Sequence, residues 1–566
     1  ATQKKVNDLT NLGFRGQLQY RLNEKFKITF IGDITDQKPD GYAQVIAGVV
    51  TTQRAAYRQF DAIIKDLNYQ LPTTDPFDRV IDHNTPWRSG NQLGGASINI
   101  DYKIGNGTLT STTAWRYWNW DPSNDRDFTA LPVLTLSQAT SRHEQFTQEI
   151  RYAGDFSKKL SGVVGVFLID QDLKTDPYHV EESGSAQWRF SQSTTSNLWK
   201  TPGLFDGYGI KTNSRLQTFG AAVFSQLDWA ISERLHVMPG IRYNYDKKEV
   251  LFDRKTYGGL QTTDPALLAL KRSVYTDQFF TADVDESNFS GGLTVAYKVE
   301  KKFNAFATYS VSYKPVGVNL GGLPTNNGQV MLELARVKPE SVDHYEIGVK
   351  TNPTKNSTLN VVFHHTRIKD YQTLVQSPEV GVNRGYLANA EKVRVYGFEA
   401  DGNIRLNKHI WLYGNVAYTD AEYLSFTNAP VPLEETGTTK SFKDLTGGRL
   451  PGVSKWAGSF GGEFTSNAYE IFGHKAKLFL AIDAYARTEF SSSPSPSKYL
   501  NVPGYATFNS RAGFRADEGL TLFVWARNIL NKNYFEQLLP AAGNAGHYAA
   551  VLGDPVTYGI TLRYTY

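Results

Sequence analysis

DPVTYGITLRYTY, residues 554–566, ends the chain with a period of two. Tyr558, Ile560, Leu562, Tyr564 and Tyr566 fall on one face of an extended strand. Thr557, Gly559, Thr561, Arg563 and Thr565 fall on the other. The apolar face opens on an aromatic residue, is filled by aliphatics and closes on aromatics. That order matches a strand whose outer face meets lipid, with its rings at the two membrane interfaces.

Working back from this strand, the same alternation recurs along the chain. In 303–313, Phe303, Ala305, Ala307, Tyr309, Val311 and Tyr313 oppose mainly Asn304, Thr308, Ser310 and Ser312. In 219–229, Phe219, Ala221, Val223, Leu227 and Trp229 oppose Gly220, Gln226 and Asp228. In 475–487, Leu478, Leu480 and Ile482 oppose Lys475, Lys477, Asp483 and Arg487. About 19 strand-like segments result, most of them long enough to cross a bilayer when tilted. They are 10–22, 25–37, 91–104, 107–120, 140–153, 159–173, 214–229, 233–249, 286–299, 302–314, 340–352, 355–369, 391–405, 408–423, 450–467, 473–490, 504–517, 519–528 and 553–566.

The connections alternate in length. Tight turns at 22–25, 104–107, 230–233, 299–302, 351–355, 405–408 and 516–519 interleave with long segments at 38–90, 174–213, 250–285, 315–339, 424–449 and 529–552. Short periplasmic turns and long extracellular loops distinguish an outer-membrane barrel from a soluble sandwich. A mean hydropathy of −0.41 is compatible with this, because half of each strand faces a polar lumen. No run approaches the length of a transmembrane helix. The sequence therefore predicts an all-β fold, a transmembrane antiparallel β-barrel. Hydrocarbon cannot satisfy an open sheet edge, so the sheet is expected to close. An odd count puts the chain's start on the loop side and its end on the turn side. Bacterial barrels have even counts, so an upstream piece carrying an odd number of strands is expected to be absent. Direct parallel closure of the first strand on the last is the alternative.

Composition narrows the chemistry. The absence of Cys removes disulfides and thiolate sites, and a net charge of +4 on 60 basic and 56 acidic residues gives no electrostatic case for nucleic acid. No nucleophile–base pattern, Walker loop or zinc-protease motif is present, so neither enzyme activity nor a cofactor is expected. His364 and His365 are adjacent on a strand and point to opposite faces, which disfavours shared ligation. Asp121, Asn124, Asp125 and Asp127 supply hard oxygens in one loop, but EF-hand spacing is missing and solvated turns have the same composition. The sequon at 356–358 falls on a periplasmic turn. In WRYWNW, Trp115, Trp118 and Trp120 do not share parity, so at least one points inward while the others fit an outer girdle. Trp118, Trp120, Trp188, Trp199, Arg384 and Tyr386 are the candidates for binding an aromatic or anionic solute, by ring stacking and guanidinium pairing; packing among the loops is the competing role for the same side chains.

Several motifs, in order, resemble those of the TonB-dependent receptors. They are YSVSYKPVGVN (309–319), VKPESVDHYEIGVKT (337–351), VYGFEADGNIRLN (395–407), LPGVSKWAGSFGGEF (450–464) and LFVWARNILNKNYFE (522–536), with Asn528, Asn531, Lys532 and Tyr534 in the last. The final strand is also similar. The resemblance implies a barrel of 22 strands with an N-terminal plug. Residues 1–566 are then the barrel domain, truncated at its N-terminus and lacking the plug. It further implies an outer-membrane location and TonB-coupled uptake of a scarce solute, most often a ferric siderophore. TonB contact comes through the missing plug segment, outer-membrane lipid and lipopolysaccharide surround the barrel, and Tyr566 is the assembly signal. The alternative function is a passive channel or structural barrel in an envelope assembly.

Overall fold

A computed structural model describes residues 4–565 except 40–42, 187–196, 301, 327–328, 377–384, 439–441, 472, 495–496 and 542–544. One 19-stranded sheet organises the described residues. Its strands are β1 (Leu9–Arg21), β2 (Phe26–Pro39), β3 (Arg88–Ile104), β4 (Gly107–Ser123), β5 (Leu134–Ser157), β6 (Leu160–Ser183), β7 (Gly209–Ala230), β8 (Leu235–Tyr257), β9 (Gln278–Glu300), β10 (Phe303–Lys314), β11 (Glu340–Thr351), β12 (Ser357–Gln376), β13 (Gly385–Arg405), β14 (Ile410–Ser425), β15 (Trp456–Ile471), β16 (His474–Arg487), β17 (Tyr505–Ala516), β18 (Leu520–Arg527) and β19 (Thr557–Tyr564). Every strand pairs antiparallel with the next in sequence, an uninterrupted meander. Among the described residues no pairing joins β1 to β19. No helix among the described residues is long and apolar enough to cross a membrane, which says nothing about crossing by strands.

The alternation survives as exposure. On β19, Tyr558, Ile560, Leu562 and Tyr564 are 81%, 74%, 68% and 65% exposed. Val223, Ile241, Phe289, Ile347, Phe363 and Phe460 stand out on other strands in the same way. In water such a continuous apolar surface would be far beyond what soluble monomers show; in a bilayer it is the solvent-facing side. Aromatic rings cluster along the loop-side rim of this band. Tyr243 meets Phe289 at 5.0 Å, Tyr309 meets Tyr345 at 4.9 Å, Phe363 meets Phe398 at 5.9 Å and Tyr418 meets Trp456 at 4.9 Å.

Above that rim the two faces exchange character. The outward positions become charged, as with Lys247, Glu249, Asp253 and Lys255 on β8. The inward positions Val250 and Phe252 become apolar and buried, packed with Phe280 and Leu323. The same happens on β12–β14, where Val375, Val393 and Tyr423 pack inward. The named hydrophobic cores thus lie among loops and upper strands, not in the membrane-height lumen. This inversion accounts for β8 extending to Tyr257 rather than 249 and β9 beginning at Gln278 rather than 286; β12 reaches Gln376 rather than 369 beyond Asp370 at φ +54°, and β6 reaches Ser183 rather than 173 beyond a register shift between Lys174 and His179. With the apolar phase switched, those residues read as loop. At the other extreme β15 starts at Trp456 and not at 450, because Gly452 sits at φ +80° in a turn.

The loops fold over the mouth. Val45–Val49, from the β2–β3 loop, pairs with His547–Leu552 from the β18–β19 loop, which also pairs with Phe535–Pro540. This three-stranded cap joins loops from opposite ends of the chain. The short helix Phe60–Asp66 buries Phe60 and Ile63 against Leu131, Val133 and Ala545.

Candidate functional site

The lumenal wall of β2, β3 and β4 carries the best-defined candidate surface. Trp115 is exposed on the lipid side beside Tyr117, their rings 5.4 Å apart. By alternation Trp118 and Trp120 face the lumen, stacked at 5.6 Å with planes 18° apart. The expectation that at least one ring of this cluster points inward is met by two. Trp118 Nε1 donates to Asn91 Oδ1, and Asn91 Nδ2 donates to Gln37 Oε1 at 2.9 Å. An amide ladder thus fixes the indole pair near the extracellular mouth, where a ring or planar ligand can stack on it. Deeper in the lumen the wall turns ionic: Arg116 pairs with Asp33 at 2.6 Å and Lys27 with Asp101 at 2.7 Å. Across the sheet, Arg515 grips Glu463 with two bonds of 2.5 and 2.9 Å while its guanidinium lies 3.9 Å from the Phe479 ring.

The remaining sequence candidates do not join this pair in one visible site. Trp199 lies in the turn Asn197–Lys200, half-buried, with Lys200 Nζ 4.7 Å from its ring. Tyr386 packs against the cluster of Val375, Val393 and Tyr423. Trp188, Arg384 and Tyr566 lie outside the described residues.

The acidic loop has a structural use. Asp125 Oδ1 accepts the N–H groups of Asp127 (3.1 Å) and Phe128 (2.8 Å), and its Oδ2 accepts Asn84 N–H (3.1 Å). Asp127 takes Thr129 N–H and Leu134 N–H. These carboxylates organise a turn in which Phe128 holds φ +62°. Burial pushes Asp125 up to about 6, and burial together with Asp125 raises Asp127 further. His547 stacks on Phe60 at 4.2 Å, and its Nε2–H donates to the Asp127 carbonyl at 3.1 Å. Burial lowers its pKa to about 4, so the ring is neutral at pH 7. His364 and His365 occupy opposite faces of β12, as expected.

The β10–β11 loop is anchored on lumenal charges that sequence reading did not single out. Val316 N–H donates to Glu286 at 2.7 Å, Lys248 Nζ donates to the Val316 carbonyl at 2.7 Å, and Glu340 accepts Gln372 N–H at 2.8 Å. The signal that finds them is parity: each is a charged residue of a strand on the side opposite the lipid-facing aromatics such as Tyr243, Phe289 and Tyr345.

Comparisons with known proteins agree with this architecture. A family model described as "TonB dependent receptor-like, beta-barrel" matches residues 35–529. The pesticin receptor of Yersinia pestis is 24% identical over 317 residues, 55% of this chain and 39% of that protein. The ferric-pyoverdine M114 receptor PbuA of Pseudomonas sp. (strain M114) is 22% identical over 330 residues, 55% of this chain and 36% of the relative. The matched stretch therefore spans well under half the length of these curated relatives. Among solved structures, the ferric yersiniabactin uptake receptor FyuA from Yersinia pestis superposes with a TM-score of 0.71 at 16% identity, covering 99% of this chain and 71% of that one. The siderophore receptor PiuA from Acinetobacter baumannii gives 0.66 at 14% identity, covering 100% and 76%. At these identities the likeness concerns the fold.

Proposed function

Because the chain belongs to the TonB-dependent receptor-like β-barrel family of the outer membrane, we propose that it forms the barrel of an active uptake receptor whose solute is a ferric siderophore. Relatives named for ferric yersiniabactin and ferric pyoverdine support the solute class. The observation in this chain that supports it most is the lumen-facing Trp118–Trp120 stack at the mouth, held by Asn91 and Gln37. Siderophores carry planar chelating rings and oxygen-rich, often anionic, groups. The indoles offer stacking surface for the first, and loop cations such as Arg384 offer pairing for the second. Trp188, Trp199 and Tyr386 complete the proposed contact set. The barrel itself makes and breaks no bonds. Release into the lumen is driven through TonB acting on a plug segment, with residues 1–566 serving as the barrel domain.

The test is titration of the purified full-length protein with ferric and iron-free siderophores, followed by intrinsic tryptophan fluorescence. Saturable quenching by a ferric complex, weakened about 10-fold (~1.4 kcal/mol) in Trp118→Ala or Trp120→Ala, supports the reading. Large unplugged currents in planar bilayers, with no ferric ligand quenching either ring, refute it.

A further inference from the structure

The short turns do not share one charge. Among the described residues, the turns β5–β6, β7–β8, β9–β10, β11–β12 and β13–β14 hold Lys158, Lys159, Arg234, Lys302, Lys355 and Lys408 against one acid, Glu233. The turns β15–β16, β17–β18, β1–β2 and β3–β4 hold Lys25 against Glu24, Asp517 and Glu518. The basic turns are consecutive, so one flank of the barrel carries the charge. Strand ends beside them add Lys298, Lys350 and Arg405 against Asp155 and Glu300. Neighbouring turns of the run lie two strands, about 10 Å, apart, and their cations form one arc along the rim.

The protein does not neutralise this arc itself. All six turn cations are exposed, and among the described residues none of them makes an ion pair. Lys408 Nζ donates to a neutral amide, Asn467 Oδ1, at 3.0 Å. On the loop side the habit is opposite: Arg215 meets Asp172 at 2.7 Å and Arg88 meets Asp121 at 2.9 Å. Like charges gathered on one flank repel, so the compact barrel gains nothing from them alone. Their balance comes from an anionic neighbour.

The apolar residues between the cations say which. Ile231 and Leu406 are exposed in the turns themselves, and Phe156 and Val299 are exposed in the last two residues of β5 and β9. Exposed apolar side chains carried to the turns place the edge of the hydrocarbon there, so the cationic heads end in the headgroup layer of the inner leaflet. A lysine lays its stem along apolar surface and lifts its ammonium to that layer. A periplasmic protein or polymer would instead need turns that stand clear of the membrane. We infer that Lys158, Lys159, Arg234, Lys302, Lys355 and Lys408 gather the phosphates of anionic glycerophospholipids, such as phosphatidylglycerol, on one flank of the barrel. Zwitterionic headgroups bring their own ammonium and leave the arc uncompensated. Lysine binds the phosphate as a point charge and Arg234 through its planar fork. This inference rests on the barrel being embedded in the outer membrane with its short turns in the periplasm.

The test uses the purified full chain reconstituted into phosphatidylcholine vesicles with traces of spin-labelled lipid, and electron spin resonance reads the share of label held at the protein surface. Heat-modifiable migration of each variant first establishes that the barrel is folded; failure of the wild type to show it refutes the membrane reading and not only the arc. With folding intact, spin-labelled phosphatidylglycerol is expected to associate about threefold more strongly than spin-labelled phosphatidylcholine of the same acyl chains. Lys158→Gln/Lys159→Gln/Lys302→Gln/Lys355→Gln is expected to lower that preference about twofold or more, while Lys25→Gln leaves it unchanged. Equal association of the two lipids, an undiminished preference in the fourfold variant, or displacement of phosphatidylglycerol by soluble peptidoglycan fragments would each overturn the proposal.

Discussion

Asn528 sits at φ +47°, buried, where the chain leaves β18. Its Nδ2 donates to the carbonyls of Lys532 (3.0 Å) and Asp554 (2.9 Å), and its Oδ1 accepts Lys532 N–H at 2.9 Å. Asn531, also at φ +47°, accepts Val556 N–H at 3.0 Å. One motif, NILNKNY (528–534), thus clamps the start of the last loop to the entry of the last strand. Asn528→Ala strands buried backbone groups and is expected to destabilise the barrel by about 1–3 kcal/mol, read as a lowered urea midpoint in lipid vesicles. The sequence identified this motif only by resemblance; the bonds that join it to the last strand, Asn528 to the Asp554 carbonyl and Val556 N–H to Asn531, span about 25 residues, which no local pattern announces. Trp118 and Trp120 were legible further, because parity alone separates them from Trp115. Asp125 and Asp127 were not: solvated turn, cation loop and buried carboxylate turn share a composition, and only burial by distant loops distinguishes them.

At the scale of elements, the strands show where reading by period fails. The alternation is continuous along β8 and β9, but above the rim its apolar phase moves from outside to inside; along β12 the alternation itself breaks at Asp370, which holds φ +54°. A reader following apolar residues on one parity stops at the rim, and the charged outward positions then look like loop. The cap is likewise assembled from strands too short to read, such as Val45–Val49, which pair across nearly the whole sequence. Its buried His547 makes the cap sensitive to acid. With a folded pKa of about 4 against 6.5 for an ordinary histidine, the folded cap binds fewer protons than the open one below pH 6.5, so this contribution is full above 6.5 and is lost as pH falls toward 4. Asp125 and Asp127, raised by burial, act in the opposite sense: their contribution is full below about 4 and is lost as pH rises through their folded values. Comparing wild type with His547→Gln isolates the histidine. Hydrogen exchange at 45–49 and 547–552 is expected to speed up between pH 6.5 and 5 in wild type relative to the variant; parallel profiles would deny His547 that role.

For the whole molecule, the account depends on which side of the sheet meets hydrocarbon. Val223 and Ile347, 60% and 62% exposed, project from the middle of the apolar band. Val223→Arg or Ile347→Arg is expected to cost about 2–4 kcal/mol of folding stability in vesicles, while Thr308→Arg on the lumenal face of β10 costs much less. The fold was readable from sequence to the level of strand number and order, because loop-length parity and face polarity are both imposed by the membrane. The lumenal charges were present as polar residues of the correct parity, but which of them anchor loops depends on where long loops descend, and loop sequence carries no period. The most direct measurement is a spin-label scan along Phe303–Lys314, feasible because the chain has no native cysteine. In lipid vesicles the account predicts that labels at 303, 305, 307 and 309 are accessible to membrane-dissolved oxygen, and that labels at 304, 306, 308 and 310 are accessible to a water-soluble nickel chelate. A reversed or uniform pattern would contradict it.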